Sequence, residues 1–252
     1  MHSEFLHSLR KNWPLLFLVI ILDIFFLYAF GKVYIAEFQT LSVHMSRMNA
    51  LLQDSLGTFT QTEDTNDLQV DFVEFDKVMR LIYESIARVL LYLFLFWTLF
   101  QGANWYFCTR MAQHNIAVPK FIARFVSVTL VGFLGFLGIF SGAIYAAYKS
   151  TETPIPFIGH DGIVIIAVTA LLVLLYAVFV AYSVPLKRWW HTFKNYKVAI
   201  TYISIVLLGV VFQYSLVWLA QKDVLFMLIA AIVVVLPTFV LARVFFIKQC
   251  EA

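Results

Sequence analysis

Charged side chains are scarce in this chain. Lys and Arg (18) with Asp and Glu (15) make up 13% of 252 residues, while 62% are hydrophobic. Soluble domains carry roughly a quarter charged residues, so one globular core in water is excluded and a lipid-solvated chain is indicated. Cysteine is scarcer still. Cys108 and Cys250 stand far apart, form no Cys-x-x-Cys pair, and fall on the side assigned below to the cytoplasm, which excludes a disulfide framework. The net charge of +3 is too small and too divided between loops to suggest a nucleic-acid partner. Catalytic motifs are missing as well: there is no P-loop, dinucleotide fingerprint, His-Glu-x-x-His or pair of carboxylates at catalytic spacing. The six histidines, His2, His7, His44, His114, His160 and His191, match no metal-ligand spacing. Gly138 to Gly142 encloses Ser141, but the spacing is wrong for a nucleophile elbow and no span holds a histidine to act as base. These absences point to a non-enzymatic protein without metal or cofactor.

What the chain does contain is six apolar runs. They cover Pro14 to Phe30, Val89 to Phe107, Phe121 to Tyr148, Ile163 to Ser183, Val198 to Ala220 and Val224 to Phe246. Each approaches or exceeds the roughly 20 residues a helix needs to cross the hydrocarbon layer. The first run is too long for a typical signal peptide and reads as an uncleaved anchor. Pro237 should kink the sixth.

Between the first two runs lies a polar insert, residues 34–88. Its first arm carries Leu27, Gly31, Tyr34, Phe38, Leu41, Met45, Met48, Leu52, Ser55 and Phe59 at alternating spacings of four and three. Its second arm repeats the pattern with Leu68, Phe72, Phe75, Met79, Ile82, Ile86, Val89 and Leu93. This is a heptad seam. The polar stretch Gly57 to Asp67 supplies the turn, with Asp67 or Asn66 as cap of the second arm. Glu84 and Arg88 are spaced for an i,i+4 ion pair. The expected fold is therefore an all-α membrane protein. Six transmembrane helices form a single polytopic domain over residues 1–252, with an antiparallel, coiled-coil-like hairpin between helices 1 and 2. The arms would project roughly 30–40 Å.

Charge sets the expected orientation. Arg10, Lys11, Arg110, Lys120, Arg124, Lys187, Arg188, Lys194, Lys197, Arg243 and Lys248 fall in one set of loops and ends. The hairpin is acidic, with Glu37, Asp54, Glu63, Asp64, Asp67, Asp71, Glu74, Asp76 and Glu84. The positive-inside rule then puts both termini of a multi-pass cell-membrane protein in the cytoplasm and the hairpin outside. Trp13, Trp105, Trp189 and Trp190 mark the inner boundary, and Trp218 the outer one.

Three clusters carry chemistry. Asp23 is the one carboxylate deep in a span, and Gln101 and Asn104 fall at similar depth on the second. An ionisable group there is costly and should face the interior with a partner. Its plain reading is interhelical polar glue; its sharper reading is a proton or cation site, with Gln213 as a weaker member. Gly132, Gly135, Gly138 and Gly142 fall within one third of the third helix and read as a close-packing face, with Phe133, Phe136, Leu137 and Phe140 opposite. From Pro185 to Lys197, Leu186, Trp189, Trp190, Phe193 and Tyr196 share one helical face, while Lys187, Arg188, His191, Lys194 and Asn195 share the other and only Lys197 is out of place. That is a basic amphipathic segment for the cytoplasmic interface and its anionic lipids.

The leading functional expectation is a scaffold or assembly component that binds a protein partner through its hairpin. The alternative is a small transporter or channel at Asp23, Gln101 and Asn104, for which six thin spans would need a second copy to enclose a pore. A lipid-active membrane enzyme comes third, for want of a nucleophile or metal set.

Overall fold

The computed structural model describes residues 12–61, 72–112, 117–152 and 160–251. The expected cap at Asp67 or Asn66, the loop prolines Pro154 and Pro156, and Arg10, Lys11, His2, His7 and His114 lie outside the described residues. What is described is helical, without strands. The helices are α1 (Trp13–Gln61), α2 (Phe72–Phe96), α3 (Gly102–Ala112), α4 (Val118–Glu152), α5 (His160–Ser183), α6 (Leu186–Phe193), α7 (Tyr196–Lys222), α8 (Val224–Ala230) and α9 (Leu236–Glu251). Two π-helical turns, Trp97–Gln101 and Ala231–Val235, join α2 to α3 and α8 to α9. Six helical stretches are long and apolar enough to cross a membrane, and they match the six runs read from sequence.

The breaks between helices have local causes. Pro185, with φ −57° and ψ 144°, ends α5 and launches α6. The Asn195 side chain accepts from the Lys197 backbone N–H at 3.0 Å and caps α7. The expected amphipathic segment is thus cut before Tyr196, which explains why Lys197 fits no common wheel with α6. The Asp223 carboxylate accepts from the backbone N–H groups of Leu225 at 2.7 Å and Phe226 at 3.3 Å, starting α8 directly after α7. Pro237 shapes the second π turn. Proline has no N–H and crowds the carbonyl one turn back. The widened turn gives Leu236 N–H a bond to Ala231 O, five residues earlier, and takes up the extra space.

The chain divides into two compact units. One is Phe25–Trp97, and the other is Met1–Ile24 with Thr98–Ala252. The expected insert, residues 34–88, falls inside the first.

Within Phe25–Trp97 the two arms run antiparallel. Phe26 meets Trp97, Phe30 meets Phe96, Glu37 meets Arg88 and Arg47 meets Glu74. Rings and long charged side chains make these bridges, and the arm backbones do not pack closely along the pair. The first arm continues as helix through Gln61, four residues past the Gly57 where the turn was expected. A heptad-spaced stripe is present that keeps the expected Leu41, Met48, Phe75, Ile82 and Val89, while the alternate positions move back by one residue. The least exposed stripe of α2 is Phe75, Val78, Ile82, Ser85 and Val89, and that of α1 is Glu37, Leu41, His44, Met48 and Leu51. Phe38, Met45 and Leu52, expected in the seam, are exposed. The expected Glu84–Arg88 pair does not form. Arg80 takes Glu84 at 3.2 Å, and Arg88 Nε crosses to both carboxylate oxygens of Glu37 at 3.2 Å. Arg88 is what lets the polar Glu37 displace Phe38 from the seam.

In the other unit, α4 and α5 make the closest pairing. A Cβ on Gly132 would stand 2.8 Å from Val178 Cγ2, and one on Gly135 3.1 Å from Leu174 Cδ1. Gly138 and Gly142 face open space, so only half of the glycine face packs. An aromatic core of Trp105, Phe121, Phe125, Phe179, Tyr182 and Phe246 joins α3, α4, α5 and α9. Trp105, expected at the membrane boundary, is 2% exposed at the centre of this core.

Candidate functional site

Asp23 of α1 is 5% exposed. Its Oδ1 accepts from Gln101 Nε2 at 3.0 Å and from Asn104 Nδ2 at 2.6 Å. Its Oδ2 stands 3.7 Å from Arg243 Nη1 on α9. The first π turn, α1, α3 and α9 thus bring one carboxylate, two amides and one guanidinium to a buried point.

The first π turn is what positions the amides. An extra residue in one turn shifts every later position by about 100°. Gln101 closes that turn, and the buried positions after it are Asn104, Trp105, Cys108, Thr109 and Met111, which recur at helical spacing on one face. Gly102 follows at once, where a Cβ would press to 3.2 Å on the Phe125 ring. The turn therefore needs glycine there to bring α3 against α4.

Arg243 is held from a further side: its guanidinium lies 5.8 Å from the Trp105 ring centroid. Three donors and no acceptor face the Asp23 carboxylate, which is what a buried carboxylate requires. The site retains unused capacity: Asn104 Oδ1 and Arg243 Nη1 are buried and make no hydrogen bond to another protein group. The Arg243–Asp23 contact is accordingly an ion pair rather than a hydrogen bond.

Asp23, Gln101 and Asn104 meet as their depths along the two spans implied. Gln213 does not join them and is exposed on α7. Arg243 is the member that sequence reading missed. It was counted with the cytoplasmic ends, yet α9 continues two turns beyond it to Glu251, and Val240, Val244, Phe246 and Ile247 around it are buried. That apolar surrounding was the available signal. Arg124, also counted with the loops, turns inward as well and donates from Nη2 to Tyr182 O at 2.8 Å near the end of α5.

The amphipathic segment divides its apolar face. Trp189 donates from its indole nitrogen to Ala177 O at 3.0 Å and stacks on Phe193, whose carbonyl accepts from Tyr176 at 2.9 Å. Leu186, Trp190 and Tyr196 remain exposed, as do Lys187, Arg188, Lys194 and Lys197, with Lys194 Nζ 4.5 Å from the Trp190 ring centroid.

Among the described residues no group of three His, Cys, Asp or Glu side chains is arranged to hold a metal ion. No family model, curated protein or solved structure matches the chain.

Proposed function

We propose that this chain is a non-enzymatic, multi-pass cell-membrane protein that assembles with a protein partner through its hairpin. Both termini face the cytoplasm and the hairpin stands outside, a reading supported by the basic loops and the acidic arms. One observation carries the docking reading. Phe38, Met45 and Leu52 recur at seven-residue intervals along α1 and are 55%, 42% and 41% exposed. A heptad-spaced apolar column left uncovered on a helix whose other stripe already meets α2 is suited to a further helix. The coiled-coil character of the hairpin belongs to this proposal.

The test is site-specific photocrosslinking in cells, with the probe stepped from residue 37 to residue 52. Adducts to one protein at 38, 45 and 52, with gaps at 37, 41, 44 and 48, are expected. Adducts without this periodicity, or none, would overturn the docking reading.

A second reading, transport through the Asp23 site, is favoured by the convergence of Asp23, Gln101, Asn104 and Arg243 from separate helices, as a midplane binding site would need. Ion or proton flux in liposomes that is lost in Asp23→Asn would establish it over the first.

A further inference from the structure

Between α7 and α9 lies a groove of about 370 Å³, open on one side and lined mainly by Ile200, Ser204, Leu208, Leu241, Ala242 and Phe245. Its three hydroxyls are already engaged. Thr201 donates to Lys197 O at 2.9 Å, Ser204 to Ile200 O at 2.9 Å, and Thr238 to Val234 O at 2.7 Å. The groove therefore offers an incoming ligand no spare hydroxyl proton, and its occupant must be apolar along the walls.

One end is different. α7 and α9 are antiparallel here, so Ile200 and Thr201 lie at the Phe245 end and Leu208 at the Thr238 end. One turn outside the first end stand Lys197 on α7 and Lys248 on α9. Lys194 stands two residues before α7, and Glu251 on the last turn of α9 feels the charges of Lys248 first and Arg188 second. Four bases thus stand at or beside this mouth with one acid, Glu251. Exposed Trp190 and Tyr196 stand beside them. From Ile200 to Leu208 the groove is about 12 Å long at 1.5 Å per residue. Two helical turns make a short seat for a partner helix, and a helix would have no use for a basic mouth at one end only. An amphiphile with an anionic head and a hydrocarbon tail uses both features.

We propose that this groove binds one acyl chain of an anionic phospholipid, whose headgroup is held by Lys197 and Lys248 with Arg188 and Lys194 nearby. The proposal rests on the six apolar helices lying in a bilayer and does not depend on the hairpin reading.

The test uses the full chain purified in a neutral detergent, titrated with phosphatidylglycerol or phosphatidylcholine and read by native mass spectrometry. The wild type should hold one phosphatidylglycerol in preference to phosphatidylcholine. Filling the groove with Ser204→Leu and Ala242→Leu should weaken both lipids about tenfold or more. Replacing the mouth bases, Lys197→Gln with Lys248→Gln, should cost about fivefold per base for phosphatidylglycerol and leave phosphatidylcholine unchanged. Val211→Leu, on an exposed face of the same helix outside the groove, should bind as wild type. Retention of a wild-type thermal unfolding transition shows that a variant still folds. Unchanged phosphatidylglycerol binding in the filled variant would assign the lipid to surface bases and overturn the proposal. So would equal wild-type binding of the two lipids, or a dimer that disappears when the groove is filled. Resistance of the chain to carbonate extraction from membranes tests the underlying membrane reading separately.

Discussion

Arg243 Nη1 stands 3.7 Å from Asp23 Oδ2, so a base near the end of the last helix neutralises the one carboxylate buried in the first. Breaking a buried pair by removing one partner typically costs about 3–5 kcal/mol, because the other charge is left uncompensated. Removing both with apolar groups of similar volume is often close to neutral. Arg243→Met should therefore destabilise by about 3–5 kcal/mol, and Asp23→Leu with Arg243→Met should recover most of that loss. Chemical unfolding in detergent micelles, run as a double-mutant cycle, checks it. Additive losses would show that the two side chains do not interact.

The hairpin pair should behave in the opposite way. Arg88 and Glu37 are 44% and 17% exposed, and Arg47 and Glu74 are more open still. Exposed pairs contribute about 0–1 kcal/mol and are screened by salt. Arg88→Gln should cost under about 1 kcal/mol and less again in molar salt. Local stability of the arms by hydrogen exchange at two salt concentrations tests this.

The glycine face of α4 predicts a split. Gly132→Ala would drive a methyl to 2.8 Å from Val178 and should cost about 1–3 kcal/mol. Gly138→Ala meets nothing within 4 Å and should be neutral or add up to about 1 kcal/mol through helix propensity. The midpoints of thermal unfolding for the two variants should move in opposite directions or, at least, only that for Gly132→Ala should fall.

The first π turn offers a test of register. Leu99 is exposed within it. Deleting Leu99 should restore α-helical pitch and turn Gln101 and Asn104 about 100° away from Asp23. Cys108, fully buried in the native chain, should then label with maleimide in a Cys250→Ser background, whereas the Leu99→Ala variant should stay protected. Protection of Cys108 in the deletion variant would mean that the turn does not set the face.

Much of this was legible in the sequence because polar residues are so rare in its spans. Asp23, Gln101 and Asn104 could be matched by depth alone, since helix rise fixes depth and few other candidates compete. The six helices were legible for the same reason. Arg243 was not, because a base near a helix end reads equally as a loop anchor; its role depends on how far α9 continues. The hairpin shows a different limit. Period is a property of one helix, but which stripe faces inward is decided by the partner. Tyr34 and Phe38 are the better hydrophobic candidates, and they lose their places because Arg88 on α2 can satisfy Glu37. Trp105 fails similarly: its position suggested a boundary anchor, and its burial follows from Arg243, Phe179 and Tyr182 closing around it.

The short helix α6 looks like the kind of element that comes and goes from a lipid surface. Its fastening says otherwise. Trp189 is tied to Ala177, and Phe193 to Tyr176, so both of its anchors end on α5. It cannot peel away like a flap without breaking bonds to α5. A displacement of α6 is therefore not absorbed at a hinge: it is felt by α5, and by α4, against which α5 is closely paired.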